Sequence, residues 1–542
     1  MIKDKKPVRG SASMPDHIML SISDDAKTTM TVTWRTSTDI NSGYVLCREE
    51  NSGEYFRTDA VSEVFESDID ISNIFWAKIT GLRPDTKYYY TCGDDNFRSK
   101  EYYFTTEPEN LTKFKFIAIS DQQKCGPFYV PDYSALNTFL KDVLKQHPDT
   151  RFILTGGDNT DCGQHELQWN GMFSGLTDII EHIPYMMTVG NHDNRGFKIY
   201  EENHCEGRYY AEPCEYFDKQ FKGSYAYNGP ENWKTENYSF DYGNVHFAVL
   251  GVNGPEDVNE WLKEDLKKSD KTWKIGSYHF PIYYSGPENQ NDDAYPMMRE
   301  SMEMCDIMFS GHEHNFSRSF PIRNEEIFDR PSQGTVHYML GNANNNPPGS
   351  RTVSKVWHTA FYPQEEYNQM VAIVEVDGDK ITLTSLLNDG RIVDKCTIDK
   401  SKDEILPYSV APIFLQTRLM FKGVDTGLCT AHTPPVEKDG IWYAPMSTMV
   451  AFAGGYVLKE KGKVTCDFMG HNAVFFEDSD TAVADGKEFK MNAPVFRGRE
   501  SQLYIPIEGF CNIFGFKWAY VKRNNFISVE FKEEQFPVSY QP

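Results

Sequence analysis

From Ile18 to Thr106 apolar and polar residues alternate in short runs broken by turn residues. In "TTMTVTWRTS" the side chains of Met30, Val32 and Trp34 share one face, and "AKITGLRPDTKYYYTC" ends one strand, turns at Pro84-Asp85 and starts another. This pattern predicts an N-terminal β-sandwich over residues 14–108. From Lys113 the rhythm changes. "KFKFIAISD" is a continuous apolar strand ending in an acid, "YSALNTFLKDVLKQH" an amphipathic helix, and "TRFILTGGD" a second buried strand ending in an acid. The arrangement returns at "YMMTVGNHD", "WKIGSYHF" and "CDIMFSGHEH", and antiparallel strands with a tight Asp-Gly turn close the segment in "MVAIVEVDGDKITLTSLLNDGRIVDKCTI". An α/β domain is expected over residues 112–400. After the polar linker "SKDEILPYSVAP", residues 413–535 repeat weakly. "GIWYAPMSTMVAFAGGYVL" matches "SQLYIPIEGFCNIFGFKWAYV" at Tyr-x-Pro, at a helix-sized interval and at Gly454 and Gly515, which predicts an α+β repeat module.

Composition narrows the function classes. A chain of 542 residues exceeds one ordinary core, and 39% hydrophobic residues with 14% aromatics suffice for several. No apolar run reaches the roughly 18 residues of a membrane span. A formal charge of −24 disfavours long nucleic acid, whereas small anions can still be held by metals. The first residues, "MIKDKKPVRGSASMP", lack an apolar h-region, so no intact secretory signal is expected there. Eleven cysteines without a C-x-x-C pair exclude a zinc ribbon. Cys205 and Cys214 suit one disulfide or two free thiols; Cys125 and Cys162 flank the candidate site and read best as space-filling residues.

The chemistry lies in five blocks at strand ends: "SDQQ" with Asp121 and Gln123, "GGDNTDCG" with Asp158 and Asp161, "GNHD" with Asn191, His192 and Asp193, "SYHF" with His279, and "GHEH" with His312 and His314. Open α/β sheets place their sites at such ends. In this order the blocks resemble the calcineurin-like metallophosphoesterases, and with the preceding β-module the purple acid phosphatases. The "GLRPDTKYYY" segment itself resembles a fibronectin type III-like module, and residues 413–535 resemble the module named after the copper amine oxidase N-terminal domain, a spacer or attachment element of secreted proteins.

The resemblance implies two mixed β-sheets flanked by helices and a centre of two divalent or trivalent ions (Fe, Zn or Mn). Cations roughly 3.5–4 Å apart need a shared anionic ligand, a role that falls to Asp158. One metal would take Asp121, Asp158 and His314; the other would take Asp158, Asn191, His279 and His312. The implied reaction is hydrolysis of a small phosphorylated substrate, most simply a phosphomonoester. A metal-bound hydroxide attacks phosphorus in line, and His192 protonates the leaving alkoxide. Arg195 and Arg318 are candidate phosphate contacts or surface ion pairs.

Two departures stand out. Gln123, a weak ligand, occupies a position where many relatives carry histidine, and Asp161 stands where purple acid phosphatases place a tyrosine. Asp161 either ligates the first metal or hydrogen-bonds His192. The insert "CEGRYYAEPCEYFDKQFKGSYAYNGPENW" supplies packing aromatics or a pocket rim. The alternatives are a phosphodiesterase on the same centre and a non-catalytic surface or adhesion protein with a decayed metal site. A secreted or cell-surface location, with wall or surface association through the C-terminal module, follows from the resemblance.

Overall fold

The computed structural model describes residues 10–124, 130–195, 214–286, 294–346, 352, 354–364, 368–410, 417–422, 424–426, 433–498, 501–522 and 525–533. Cys125, Cys205 and the start of the aromatic insert lie outside them. The chain forms two compact units, one of Met1–Thr352 with Tyr362–Ser409, the other of Val353–Phe361 with Val410–Pro542.

In the first unit the alternating N-terminal runs form two antiparallel sheets. One orders strands Asp16–Ser21, Met30–Ser37, Ile71–Ile79 and Val61–Glu66; the other orders Phe56–Asp59, Tyr44–Glu49, Lys87–Gly93 and Tyr102–Thr105. Val32, Trp34, Val45, Phe75 and Tyr90 fill the space between them. Arg35, buried at the sandwich edge, pairs with Asp16 of its own sheet and with Glu166 of the following domain. Tyr90 donates to the Glu181 carbonyl (2.8 Å) and the Leu20 N–H to the Ile180 carbonyl (2.9 Å), which seats the sandwich on that domain.

The α/β domain holds two mixed sheets. The first runs Tyr185–Met186, Thr150–Thr155, Lys113–Ile119, Met370–Asp377, Lys380–Leu387, Ile392–Asp399, parallel among its first three strands and antiparallel beyond. The second places Val245–Leu250, Trp273–Tyr278, Ile307–Ser310 and Thr335–Leu340 side by side in parallel, with antiparallel neighbours outside. Phenylalanines interdigitate between the sheets: Phe116 meets Phe247 at 5.2 Å and Phe309 at 6.3 Å, and Phe152 meets Phe240 at 5.6 Å. Edge-on pairs of this kind add to the burial that clamps the sheets together. Helix Ser134–Gln146 packs through Leu136, Phe139, Leu140 and Val143, the face expected from its periodicity.

In the second unit the two halves of the repeat take the same form. Strand Ile441–Pro445 leads into helix Met446–Phe452 and strand Tyr456–Glu460, and Leu503–Pro506 leads into helix Ile507–Phe514 and strand Phe516–Val521. The halves pair antiparallel through Ala444 and Ile505. Gly454 and Gly515 follow the helices with φ of 87° and 75°. A five-stranded meander, Tyr456–Glu460 to Lys487–Lys490, lies between the half-repeats.

One buried histidine links stability to pH. His246 Nδ1 lies 2.7 Å from Asp241 Oδ1 and Nε2 2.8 Å from Asp265 Oδ2, with Lys271 Nζ 3.6 Å from Asp241. Burial opposes its protonation, but the two carboxylates prevail and raise its pKa to about 9. A folded pKa above the unfolded value contributes stability that is full below about 6.5 and fades as pH rises through about 9. Half-exposed Asp241 tempers the effect, so His246→Gln should remove about 1–3 kcal/mol at pH 6 and little above pH 9. Urea titrations across that range check this; an equal loss at both ends contradicts it.

Candidate metal centre

The first sheet delivers Asp121 after Ile119, Asp158 after Thr155 and Asn191 beyond Met186, while the second delivers His279 after Tyr278 and His312 and His314 after Ser310. All six therefore gather above the strand ends of both sheets. Asp121, Asp158, His312 and His314 adopt φ of 51°, 52°, 77° and 52°. Left-handed backbone at a non-glycine residue costs about 1–3 kcal/mol and persists where the surroundings over-determine it. Here the side chains must turn back over the strand ends to converge.

Asp158 Oδ1 is 3.2 Å from His279 Nε2; Asn191 Oδ1 is 3.0 Å from both His279 Nε2 and His312 Nδ1. His279 Nδ1 donates to the Gly156 carbonyl at 2.8 Å, which turns Nε2 toward the cluster. Across the centre Asp121 Oδ1 lies 3.5 Å from His314 Nε2. Among the described residues, Asp158, His279 and His312 are the grouped His, Cys, Asp or Glu side chains able to hold a metal ion.

Both carboxylates also tie loops together. The Asp121 oxygens accept the His312 N–H at 2.8 and 2.9 Å, and Asp158 Oδ1 accepts the His192 N–H at 2.9 Å. Burial opposes ionisation of Asp158, but His279 and His192 hold it below the usual carboxylate range; the same burial raises Asp121. His279 is lowered by burial and raised further by Asp158 and Asp121, to about 9, whereas burial and His279 push His312 well below its ordinary value.

His192 stands beside this cluster, Nε2 3.7 Å from Asp158 Oδ2 and Nδ1 3.0 Å from Asp161 Oδ1. Of the two roles open to Asp161, the geometry displays the contact with His192. Arg195 Nη1 lies 2.8 Å from the same Nδ1, so a cation and an anion flank one ring nitrogen. Gln123 Nε2 is 3.2 Å from Asp158 Oδ2 and 3.5 Å from His314 Nε2.

Arg318 is not brought to the centre. Fully buried, it donates through Nε and Nη2 to Asp394 at 2.8 and 3.1 Å and to the Pro407 carbonyl at 3.0 Å, so the expected phosphate contact gives way to an internal ion pair. Much of the described part of the aromatic insert is packing: Phe217 and Phe221 meet Trp169, and Tyr225 stacks on Tyr238 at 4.3 Å, whereas Tyr227 is exposed. Cys214 is a free buried thiol whose Sγ lies 2.9 Å from the Asp193 carbonyl, and Cys162 is buried with Sγ 3.4 Å from the Arg195 carbonyl.

The supporting groups were less visible in the sequence. Asp193 accepts five hydrogen bonds, from the Gly190 N–H, the Asn159 N–H and amide, and the Thr160 N–H and hydroxyl. Burial and Asp158 push it up to about 6, against backbone donors that favour the anion. Asn346 donates to the Asp121 and Gln123 carbonyls and Asn344 to that of Gln122, so the asparagine run after Leu340 braces the first ligand loop. Gly190 has no alternative: a Cβ there would sit 2.2 Å from Asp158 Oδ1.

Comparison with known proteins agrees with this arrangement. Residues 15–106 match the model of the purple acid phosphatase N-terminal domain, and residues 114–316 that of the calcineurin-like phosphoesterases. The chain is similar to the calcineurin-like phosphoesterases over that stretch. Purple acid phosphatase 15 of Arabidopsis thaliana is 28% identical over 308 residues, 50% of this chain and 54% of its own. Probable purple acid phosphatase 20 of the same plant is 27% identical over 340 residues, 57% of this chain and 74% of its own. The chain thus spans about half the length of the first of these relatives. A purple acid phosphatase from yellow lupin (Lupinus luteus) seeds shares the fold at a TM-score of 0.57 and 20% identity, over 72% of this chain and 75% of that one.

Asp193→Asn should destabilise the α/β domain by about 1–3 kcal/mol, because an amide presents a donor to donors already in place. Denaturant unfolding measures this, and an unchanged midpoint would show that the carboxylate is dispensable.

Proposed function

We propose that this phosphoesterase hydrolyses phosphomonoesters at two metal ions that share Asp158. The observation that carries the reading is the convergence of Asp158 Oδ1, Asn191 Oδ1, His279 Nε2 and His312 Nδ1, with neighbouring donors 3.0–3.2 Å apart. Donors bonded at about 2.1 Å to one ion stand roughly 3 Å from each other, so the residues fit the group. Asp121, Asp158 and His314 would hold the second ion. When bound, the pair supplies an activated water and Lewis-acid neutralisation of phosphate charge.

The remaining work falls to the chain's own side chains. Asp161 fixes the His192 ring through Nδ1, which leaves Nε2 at the edge of the centre to hand a proton to the departing alkoxide. Arg195, beside His192, is the cation in position to meet a phosphate oxygen. Among the described residues no helix is long and apolar enough to cross a membrane. A secreted or cell-surface setting, with residues 413–535 as attachment element, completes the reading; its support is the repeat architecture of the second unit.

Metal-stripped protein, reloaded and assayed on nitrophenyl phosphate and bis-nitrophenyl phosphate, tests the proposal. Metal-dependent turnover of the monoester in preference to the diester is expected; diester preference makes it a phosphodiesterase, and no turnover of either supports the decayed centre. His192→Ala should lose turnover of alkyl phosphates by about 10²–10⁴ while sparing nitrophenyl phosphate, whose leaving group barely needs a proton. Equal losses would remove His192 from the acid role. Asp161→Asn should reproduce that selectivity at full metal content; departure of one metal equivalent would make Asp161 a ligand instead.

A further inference from the structure

We infer that the metal position at Asp121, Asp158 and His314 takes Gln123 Oε1 as its fourth protein donor and is built for a divalent ion of the manganese class. This rests on the two-metal reading above and assigns the chemistry of one of its halves. Gln123 is fully buried, and among the described residues its Oε1 has no hydrogen-bond partner. No contact of Oε1 with a described residue therefore holds the oxygen where it stands. Its amide head lies among the ligands, with Nε2 3.2 Å from Asp158 Oδ2 and 3.5 Å from His314 Nε2. A half-turn about the last side-chain torsion, which is broad and nearly two-fold, exchanges nitrogen for oxygen and points Oε1 at the same place. The backbone beneath is fixed: the Gln123 N–H donates to the Asp158 carbonyl at 3.0 Å, and Asn346 donates to the Gln123 carbonyl.

The donor set then decides the class of ion. This position offers three oxygens and one imidazole, whereas the position at Asn191, His279 and His312 offers two oxygens and two imidazoles. Carboxylate and carbonyl oxygens suit manganese and magnesium; imidazole suits zinc and iron. Charge points the same way. Among the described residues the ligands contribute two carboxylates, because Asp161 is engaged with His192 and Asp193 with the loop N–H groups. Two divalent ions already bring four positive charges into a buried site, and a trivalent ion would add a fifth with no further anion. Two described tyrosines beside these loops are engaged elsewhere: Tyr133 donates to the Asn159 carbonyl at 2.7 Å, and Tyr185 to Gln122.

The test uses the full chain, stripped with a chelator and dialysed against Mn²⁺, Zn²⁺ or Fe³⁺, with metal counted by elemental analysis and Mn²⁺ followed by electron paramagnetic resonance. Wild type should bind two equivalents in a Mn²⁺/Zn²⁺ mixture, manganese in one position, and show no phenolate-to-iron absorption band after iron loading. Gln123→Leu should weaken Mn²⁺ binding at one position about tenfold or more, with an unchanged melting curve for the stripped protein. Gln123→His should restore the second equivalent and shift that position toward zinc. Undiminished manganese affinity in Gln123→Leu, or a tyrosinate band in the iron-loaded wild type, overturns this inference while leaving the two-metal reading intact. Failure of wild type to bind any of the three ions overturns both.

Discussion

Two buried carboxylates with opposite loyalties organise the centre. Asp121 and Asp158 each present oxygens to the ligand cluster and at the same time accept a backbone N–H from another loop, His312 for the first and His192 for the second. Neither contact is available unless the first sheet, the second sheet and the third ligand loop are all in register. The left-handed backbone at Asp121, Asp158, His312 and His314 is the conformational consequence. Such strain is held only by a scaffold that leaves no alternative, and the phenylalanine layer between the sheets provides the rigidity.

Around this pair the structure adds constraint from outside. Asp193 knits the second block to the third, the asparagine run braces the first, and Gly190 lets the third pass against Asp158. The N-terminal sandwich takes part as well. Arg35 reaches Glu166 and Asp68 accepts the Glu166 N–H at 2.9 Å, at the start of the helix that follows the Asp161 loop. Within that helix, Gln168 accepts the Asp161 N–H at 3.3 Å. A set of polar contacts therefore runs from the sandwich to Asp161, which lies against His192.

Much of this was legible in the chain because periodicity and punctuation are local signals. Period-two alternation marked the sandwich, continuous apolar runs ending in acids marked the central strands, and the two Tyr-x-Pro segments marked the halves of the C-terminal repeat. What stayed hidden was pairing across long separations. Arg318 sits 76 residues before its partner Asp394, so the sequence showed a cation near a ligand block and nothing of the partner that buries it. Asp193 stood in plain view at the end of "GNHD", but four of its five donors come from Asn159 and Thr160 in the second block, which only the fold brings near. Asp161 was readable as a ligand or as an orienting group, and its 3.0 Å approach to His192 Nδ1 became visible only in the fold.

The central claim is that the centre holds two metal ions with Asp158 between them. Anomalous diffraction from metal-soaked crystals, collected at the absorption edge of each ion, tests this most directly. The account predicts two peaks, one among Asn191, His279 and His312 and the other among Asp121, Gln123 and His314, each within bonding distance of an Asp158 oxygen. A single peak, or two peaks with Asp158 bound to neither, would contradict it.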